Sequence, residues 1–193
     1  AHVERGEYAE FHANYHPYFR NFLEKFGYYD IFLVEPDNGR IVYSVFKELD
    51  YATSLIDGPY SQSNFAAAFR AVQGSRNPDL VKMVDFDEYY PSYQSAASFL
   101  SAPIIDGDEQ VGVLVFQIPI DQINTTMTNS GSWSSVGLGR SGETYMVSND
   151  YSMRNDSRLL IEDPDSFFGN LQKQNIHAEK ITRIRSLQSS ILI

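Results

Sequence analysis

The hydrophobic period of this chain switches from helical to alternating at Gly27, and that switch decides what it can fold into. Ahead of it, Tyr8, Phe11, Tyr15, Tyr18, Phe22 and Phe26 recur at three- and four-residue steps, placing an aromatic stripe along one side of a helix. Such a stripe normally meets core or a neighbouring helix. Pro17 lacks a backbone donor, so the helix is expected to kink there or to restart with Pro17 in its first turn, and Gly27 supplies the stop. Behind Gly27, Tyr29-Asp-Ile-Phe-Leu-Val34 and Arg40-Ile-Val-Tyr-Ser-Val-Phe46 flank Glu35-Pro-Asp-Asn-Gly39. Two β-rich runs around such a turn make a hairpin, with Asn38 and Gly39 at positive φ.

The same reading continues down the chain. Residues 47–63 are loop, and Asn64–Val72 is a helix with Phe65, Ala68, Phe69 and Val72 on one side. Val81–Phe86 alternates as a strand; Ala97–Ile105 and Gln110–Ile118 form a second hairpin about Asp106–Glu109. Five strands behind a long amino-terminal helix predict an α+β fold with an antiparallel sheet. Residues 121–135 read as a polar connector, Gly142–Ser148 as the start of a further strand, and Leu171–Ile193 as a helix bearing Ile181, Ile184, Leu187 and Ile191. The expected organisation is a helix over 1–27, a sheet module over 28–127, and an incomplete second α/β unit over 128–193.

Charge and composition exclude several function classes. Of 193 residues, 15 are Lys or Arg and 25 Asp or Glu, and residues 28–127 alone hold 5 basic and 14 acidic side chains. Such an acidic skin opposes nucleic-acid binding, which needs clustered Lys and Arg; it either serves solubility or makes a field that favours cationic ligands or divalent ions. The absence of cysteine rules out disulfides, thiol catalysis and Cys-ligated metals. The longest apolar run, Val111–Phe116, is far short of the ~20 residues that cross a bilayer.

No motif points to catalysis or a cofactor. Gly137-Leu-Gly-Arg-Ser-Gly142 fits the dinucleotide pattern in letters, but a Ser-rich connector precedes it and no helix follows, so it reads as a turn. His12 and His16 sit four apart without an evident third ligand, and His2 and His177 complete no hydrolase triad. Asp85, Asp87 and Glu88, and Asp106, Asp108 and Glu109, lack the spacing of a calcium loop. Asp85–Phe99 is more suggestive: Tyr89, Tyr90 and Tyr93 crowd with Ser95 and Ser98 where the chain passes between strands. These side chains either wall a small-molecule pocket or cap the sheet edge.

The order of helix, Tyr28–Glu48, the Tyr-Pro-Ser-Tyr core of Phe86–Phe99, Ala102-Pro-Ile-Ile-Asp-Gly107 and Val111–Ile120 resembles the Cache sensor domains. These are extracytoplasmic PAS-like modules of bacterial chemoreceptors, histidine kinases and cyclases. Gly139–Ser148 with Asp150–Arg158 is similar to the segment opening the second module of double-Cache proteins. The resemblance implies a non-catalytic periplasmic sensor of amino acids, amines or carboxylates. It also implies tethering by flanking membrane helices outside this sequence, and a homodimer through the amino-terminal helix. The Tyr/Arg/Trp/Asp pattern of the amino-acid-binding subgroup is not found. The ligand-facing set expected on this basis is Phe46, Tyr51, Tyr60, Asp85, Tyr89, Tyr90, Tyr93, Ser95 and Ser98, with Asp85 meeting a positive group; no cofactor or metal is expected. The alternative is a dimerising module without a small ligand.

Overall fold

The computed structural model describes residues 6–93 and 95–191. His2 and Ile193 lie outside the described residues. The chain divides into two compact units, one holding residues 6–85, 89–93 and 97–118 and the other 86–88, 95–96 and 119–191.

In the first unit α1 (Glu7–Phe26) runs through Pro17 as one helix and ends at Gly27, whose left-handed φ of 73° lets its N–H reach the Leu23 carbonyl at 2.9 Å. Five strands follow, β1 (Asp30–Val34), β2 (Ile41–Ser44), β3 (Lys82–Glu88), β4 (Ala96–Asp106) and β5 (Glu109–Pro119), with α2 (Asn64–Arg70) between β2 and β3. They form one antiparallel sheet in the order β2-β1-β5-β4-β3, the α+β fold expected from the alternating runs. At the first hairpin only Gly39 takes positive φ, 67°; Asn38 instead accepts the Arg40 N–H on its side-chain oxygen at 2.9 Å.

The two-residue period of β1 sorts its side chains onto opposite faces. Phe32 and Val34 join Phe65, Phe69, Val72, Phe99, Val113 and Val115 under α2. Ser63 caps α2 by accepting the Ala66 N–H at 3.2 Å, which aims Phe65 at the sheet; its ring stacks on Phe99 at 4.7 Å. Ile31 and Leu33 face the other way, toward Leu23 and Phe19 of α1. Most of the aromatic stripe of α1 does not dock: Phe11 and Tyr18 remain 61% and 75% exposed, while Phe22 at its end meets the Phe116 ring at 5.8 Å. Docking falls to the adjacent face, His12, His16, Phe19 and Leu23, because Tyr43 projects from β2 to meet it, with the Phe19 ring at 4.9 Å.

The second unit departs further from expectation. Residues 120–128 form a helix, α3 (Ile120–Thr128), where a connector was expected; Pro119 precedes its first turn and Asn129 ends it in the left-handed region. Gly142–Ser148 forms no strand. Val147 makes only an isolated bridge to Met153, since a strand needs a partner to close its ladder. The expected carboxyl-terminal helix breaks at Asn175 into α5 (Pro164–Lys173) and α6 (Ala178–Leu187), behind the short α4 (Arg158–Glu162). Leu160, Phe168, Ile181 and Ile184 form a small core there.

Polar groups organise the rest of that unit. The Arg158 guanidinium lies over the Trp133 ring at 4.7 Å and donates to the Gly139 and Gly142 carbonyls at 3.1 and 2.8 Å, so the glycine-rich segment receives an internal cation. Buried Asp156 accepts from the Asn124 amide at 2.8 Å, the Ser189 hydroxyl at 2.8 Å and the Ser190 N–H at 2.7 Å. Asp156→Ala leaves these donors unmet and is expected to destabilise the chain by about 2–4 kcal/mol in urea unfolding. A loss under 0.5 kcal/mol (about the size of a surface substitution) would contradict that role.

Candidate functional site

The sheet places two polar side chains among its inward-facing apolar ones. Asp30, fully buried, lies on the same face as Phe32 and Val34, and its register partner Gln117 continues the row of Val113 and Val115 on β5. Asp30 Oδ1 accepts the N–H groups of Ile31 at 2.6 Å and Val45 at 2.8 Å, and Oδ2 that of Phe46 at 3.4 Å. Those bonds take the backbone that leaves β2 and turn it. Lys47 then adopts a left-handed φ of 55°.

The turned segment carries two more carboxylates to this end of the unit. Glu48 accepts the Tyr29 hydroxyl at 2.8 Å, and Asp50 accepts the Tyr89 hydroxyl on Oδ2 at 2.6 Å. Asp50 and Tyr89 are each 1% exposed. The Tyr89 ring meets Phe99 edge-on at 5.0 Å and has Tyr60 at 6.1 Å. Among the described residues, the buried side-chain polar atoms without a hydrogen-bond partner are Asp50 Oδ1, Asn64 Oδ1 and Gln117 Oε1. All three are acceptors, and a buried acceptor left unmet costs about 1–3 kcal/mol.

These carboxylates are pushed toward neutrality. Burial raises Asp30 to about 7 against the lowering effect of its three N–H donors, and Asp50 adds to the rise. Burial also raises Asp50, which the Tyr89 hydroxyl and the backbone N–H groups of Asp50 and Tyr51 partly offset. Glu48 is raised by burial and by Asp50, opposed by the Tyr29 hydroxyl. Burial and the Asp50 charge together raise the Tyr89 phenol, so it remains a donor.

Among the residues singled out in the sequence, Tyr51, Tyr60 and Tyr89 belong to this region. Tyr89 is the buried donor to Asp50; Tyr60 is half-buried beside it; Tyr51 packs at the core edge with its hydroxyl on that of Tyr8 at 3.0 Å. Phe46 is half exposed, its ring 6.1 Å from Tyr29. Tyr90 and Tyr93, 62% and 87% exposed, point to solvent, because the chain at Tyr93 turns through φ 56°. Ser98 is buried but its hydroxyl goes to the Val84 carbonyl at 2.7 Å. Asp85 and Ser95 are exposed, and the Asp85 carbonyl takes the Asn64 amide at 3.1 Å. The carboxylate brought inward is therefore Asp50, not Asp85. Asp30 and Gln117 were detectable in sequence as polar residues at inward positions of alternating strands; Glu48 and Asp50 left no such signal.

Lys47 faces α1. Its ammonium lies 2.7 Å from His12 Nε2 and 3.0 Å from the Ser44 carbonyl, while His16 Nδ1 meets the Tyr43 hydroxyl at 3.0 Å. An imidazole that accepts from an ammonium is neutral. Burial lowers both histidines, followed by Lys47 for His12, and by His12, Lys47 and Arg20 for His16. A groove of about 410 Å³ lined by Tyr15, Tyr18, Phe19, Phe22, Ile31, Leu114 and Phe116 runs beside α1.

No family model matches the chain, and no curated protein does. Its fold is similar to that of the ligand-binding domain of the Campylobacter jejuni chemoreceptor Tlp3 in complex with 4-methylisoleucine, at 11% identity and TM-score 0.52, over 91% of this chain and 58% of that one. It is also similar to the ligand-binding domain of the Pseudomonas aeruginosa amino acid chemoreceptor PctC in complex with GABA, at 13% identity and TM-score 0.49, over 80% and 58%. The V. cholerae histidine kinase DctB sensor domain matches at 18% identity and TM-score 0.42, over 58% and 39%. The chain thus spans between 39% and 58% of the length of these structures.

Asp30 and the two half-buried histidines act on stability in opposite directions as pH changes. Asp30, raised from 3.8 to about 7, contributes stability that is complete below 3.8 and lost as pH rises through 7. His12 and His16, lowered from 6.5, contribute stability that is complete above 6.5 and lost as pH falls through their folded values. Urea stability is expected to lose the Asp30 contribution between pH 3.8 and about 7, by up to about 1.4 kcal/mol per pH unit, with little further change from this group above pH 7. Asp30→Asn is expected to remove the decline between pH 3.8 and 7, and His12→Gln with His16→Gln the opposing loss as pH falls below 6.5; profiles unchanged by either would refute the assignment.

Proposed function

We propose, from a fold of the Cache sensor type, that this chain is the extracytoplasmic small-ligand-sensing region of a bacterial transmembrane receptor of the chemoreceptor or sensor-kinase kind, without catalysis of its own. The observation that carries the reading is Asp50: a carboxylate buried on the α2 face of the sheet, with one oxygen held by Tyr89 and the other unmet. A fold that needed only stability gains nothing from that oxygen, whereas a ligand donor repays it. The similarity in fold to the ligand-binding domain of the Campylobacter jejuni chemoreceptor supports the same reading. Glu48, Asp50, Tyr60, Tyr89 and Gln117 would face the ligand, with Tyr51 at the margin. Ligand access requires the 46–60 segment to open, and that segment also carries Lys47, the partner of α1. Binding would thereby bias the docking of α1 by its differential affinity for the two arrangements.

Thermal unfolding against amino acids, amines and carboxylates tests the proposal. A ligand of the native state at 100 times its Kd adds about 2.7 kcal/mol, several degrees for a chain of this size. The shift should vanish in Asp50→Ala and persist in Tyr93→Ala; a flat panel would refute ligand sensing.

A second reading, self-association through α1, is favoured by the exposed rings of Phe11, Tyr15, Tyr18 and Phe22 and the apolar groove beside them. The groove and the stripe offer one surface to a second copy of the chain. Sedimentation velocity should show a concentration-dependent dimer that Phe11→Glu with Phe22→Glu converts to monomer. A dimer that survives the double substitution removes this reading.

A further inference from the structure

The Lys47 ammonium is a cation held by neutral groups. It donates to His12 Nε2 at 2.7 Å and to the Ser44 carbonyl at 3.0 Å, and it lies 5.1 Å from the centre of the Tyr43 ring and 5.9 Å from that of Tyr51. Among the described residues no carboxylate forms an ion pair with it. An ammonium has only donors, so the nitrogen that accepts from it must carry no proton. His12 therefore holds Lys47 only while it is neutral. His16 is differently placed: the Tyr43 hydroxyl, 3.0 Å from its Nδ1, can donate or accept, so a protonated His16 keeps a partner. Leu23 is the one buried side chain among the described residues of α1, so the amino-terminal half of the helix depends on the His12 contact and on the bond between the Tyr8 and Tyr51 hydroxyls.

Independently of ligand sensing, we infer that His12 and Lys47 form a proton-operated latch that releases α1 from the sheet in acid. A proton on His12 Nε2 turns an acceptor into a donor, breaks the bond to Lys47 and sets two cations against each other. The rings of His12 and His16 stack 4.5 Å apart, so a second proton adds a third charge to the same cluster. On α1 the groups facing the pair are Tyr8, whose ring is 5.9 Å from that of His12, and Arg20, which is paired with Glu24 at 3.0 Å. From β2 comes Tyr43, from the segment after it Lys47 and Tyr51, and from β1 Asp30, which acts on Lys47 and Tyr43 from within the sheet. Asp30 is itself raised to about 7, so its negative charge fades as the pH falls and offers the protonated histidines no relief. Burial and the Lys47 charge both lower His12, the direction that a latch closed at neutral pH requires.

Hydrogen–deuterium exchange of the whole chain at pH 7.5 and pH 5.0, corrected for the intrinsic exchange rate at each pH, tests this. A helix deprived of its packing exchanges its amides readily. Opening of residues 7–26 is expected to rise as pH falls, by up to about tenfold per pH unit for each proton taken up, while β4 and β5 keep their protection. His12→Gln, whose side-chain oxygen can still accept from Lys47 but takes no proton, should protect α1 at pH 5.0 as well as at pH 7.5. Lys47→Met removes the ammonium and keeps an apolar stem against the tyrosines, and should reduce the pH dependence; His16→Gln should leave most of it. Acid opening of α1 that persists in His12→Gln would overturn the latch, and abolition of that opening by His16→Gln alone would overturn the assignment to His12. Protection lost from β4 and β5 together with α1 would mean global unfolding and would overturn local release. With no ligand in the experiment, each of these failures leaves the sensing reading intact.

Discussion

The Asp30 carboxylate sits where the strands of the first unit give way to the loop that follows β2. By accepting the N–H groups of Ile31, Val45 and Phe46 it supplies what a ladder would otherwise supply at the end of β2, and thereby turns the backbone out of the sheet. Everything in the next five residues follows from that turn. Lys47 is thrown to the α1 side, where it meets His12; Glu48 and Asp50 fall toward Tyr29 and Tyr89. The cost is a buried acid held near 7, where an ordinary aspartate would be fully ionised.

One sheet thus keeps two different chemistries apart. Its α2 face is an aromatic and aliphatic core whose end is polar and rich in acceptors, while its α1 face combines Leu23, Ile31 and Val45 with the His12, His16 and Tyr43 cluster. The strand period produces this separation without any special residue, since neighbours along β1 and β5 must point oppositely. A helix docked half by rings and half by neutral imidazoles is held by contacts that respond to protonation, and the segment that holds it is the one bearing the proposed ligand carboxylates.

Much of this was legible residue by residue. The alternating runs, the turn at Gly39, the α2 face of Phe65, Phe69 and Val72, and the stop at Gly27 were all read correctly, because each depends on spacing or on a local backbone demand. The α1 stripe shows the limit: six aromatic residues at helical spacing marked a face, yet Phe19, Leu23 and the two histidines beside it docked. Periodicity identifies that a helix has an apolar side; which side is covered depends on what the sheet projects at it, here Tyr43. The second unit was less legible, since Ile120–Thr128 is a helix of modest formers and its polar core around Asp156 joins residues more than thirty apart.

The site divides the same way. Sequence alone determined the fold class, the acidic character of residues 28–127, and the exclusion of thiol and Cys-metal chemistry. Tertiary structure decided that Asp50 rather than Asp85 is the inward carboxylate, that Tyr90 and Tyr93 face solvent, and that the unmet atoms are oxygens. The physical reason is that alternation and helical spacing are properties of consecutive residues. Which donors are already spent, and which acceptors are left over, depends on pairings such as Asp50 with Tyr89, and no local pattern records a bond between residues so far apart in the chain.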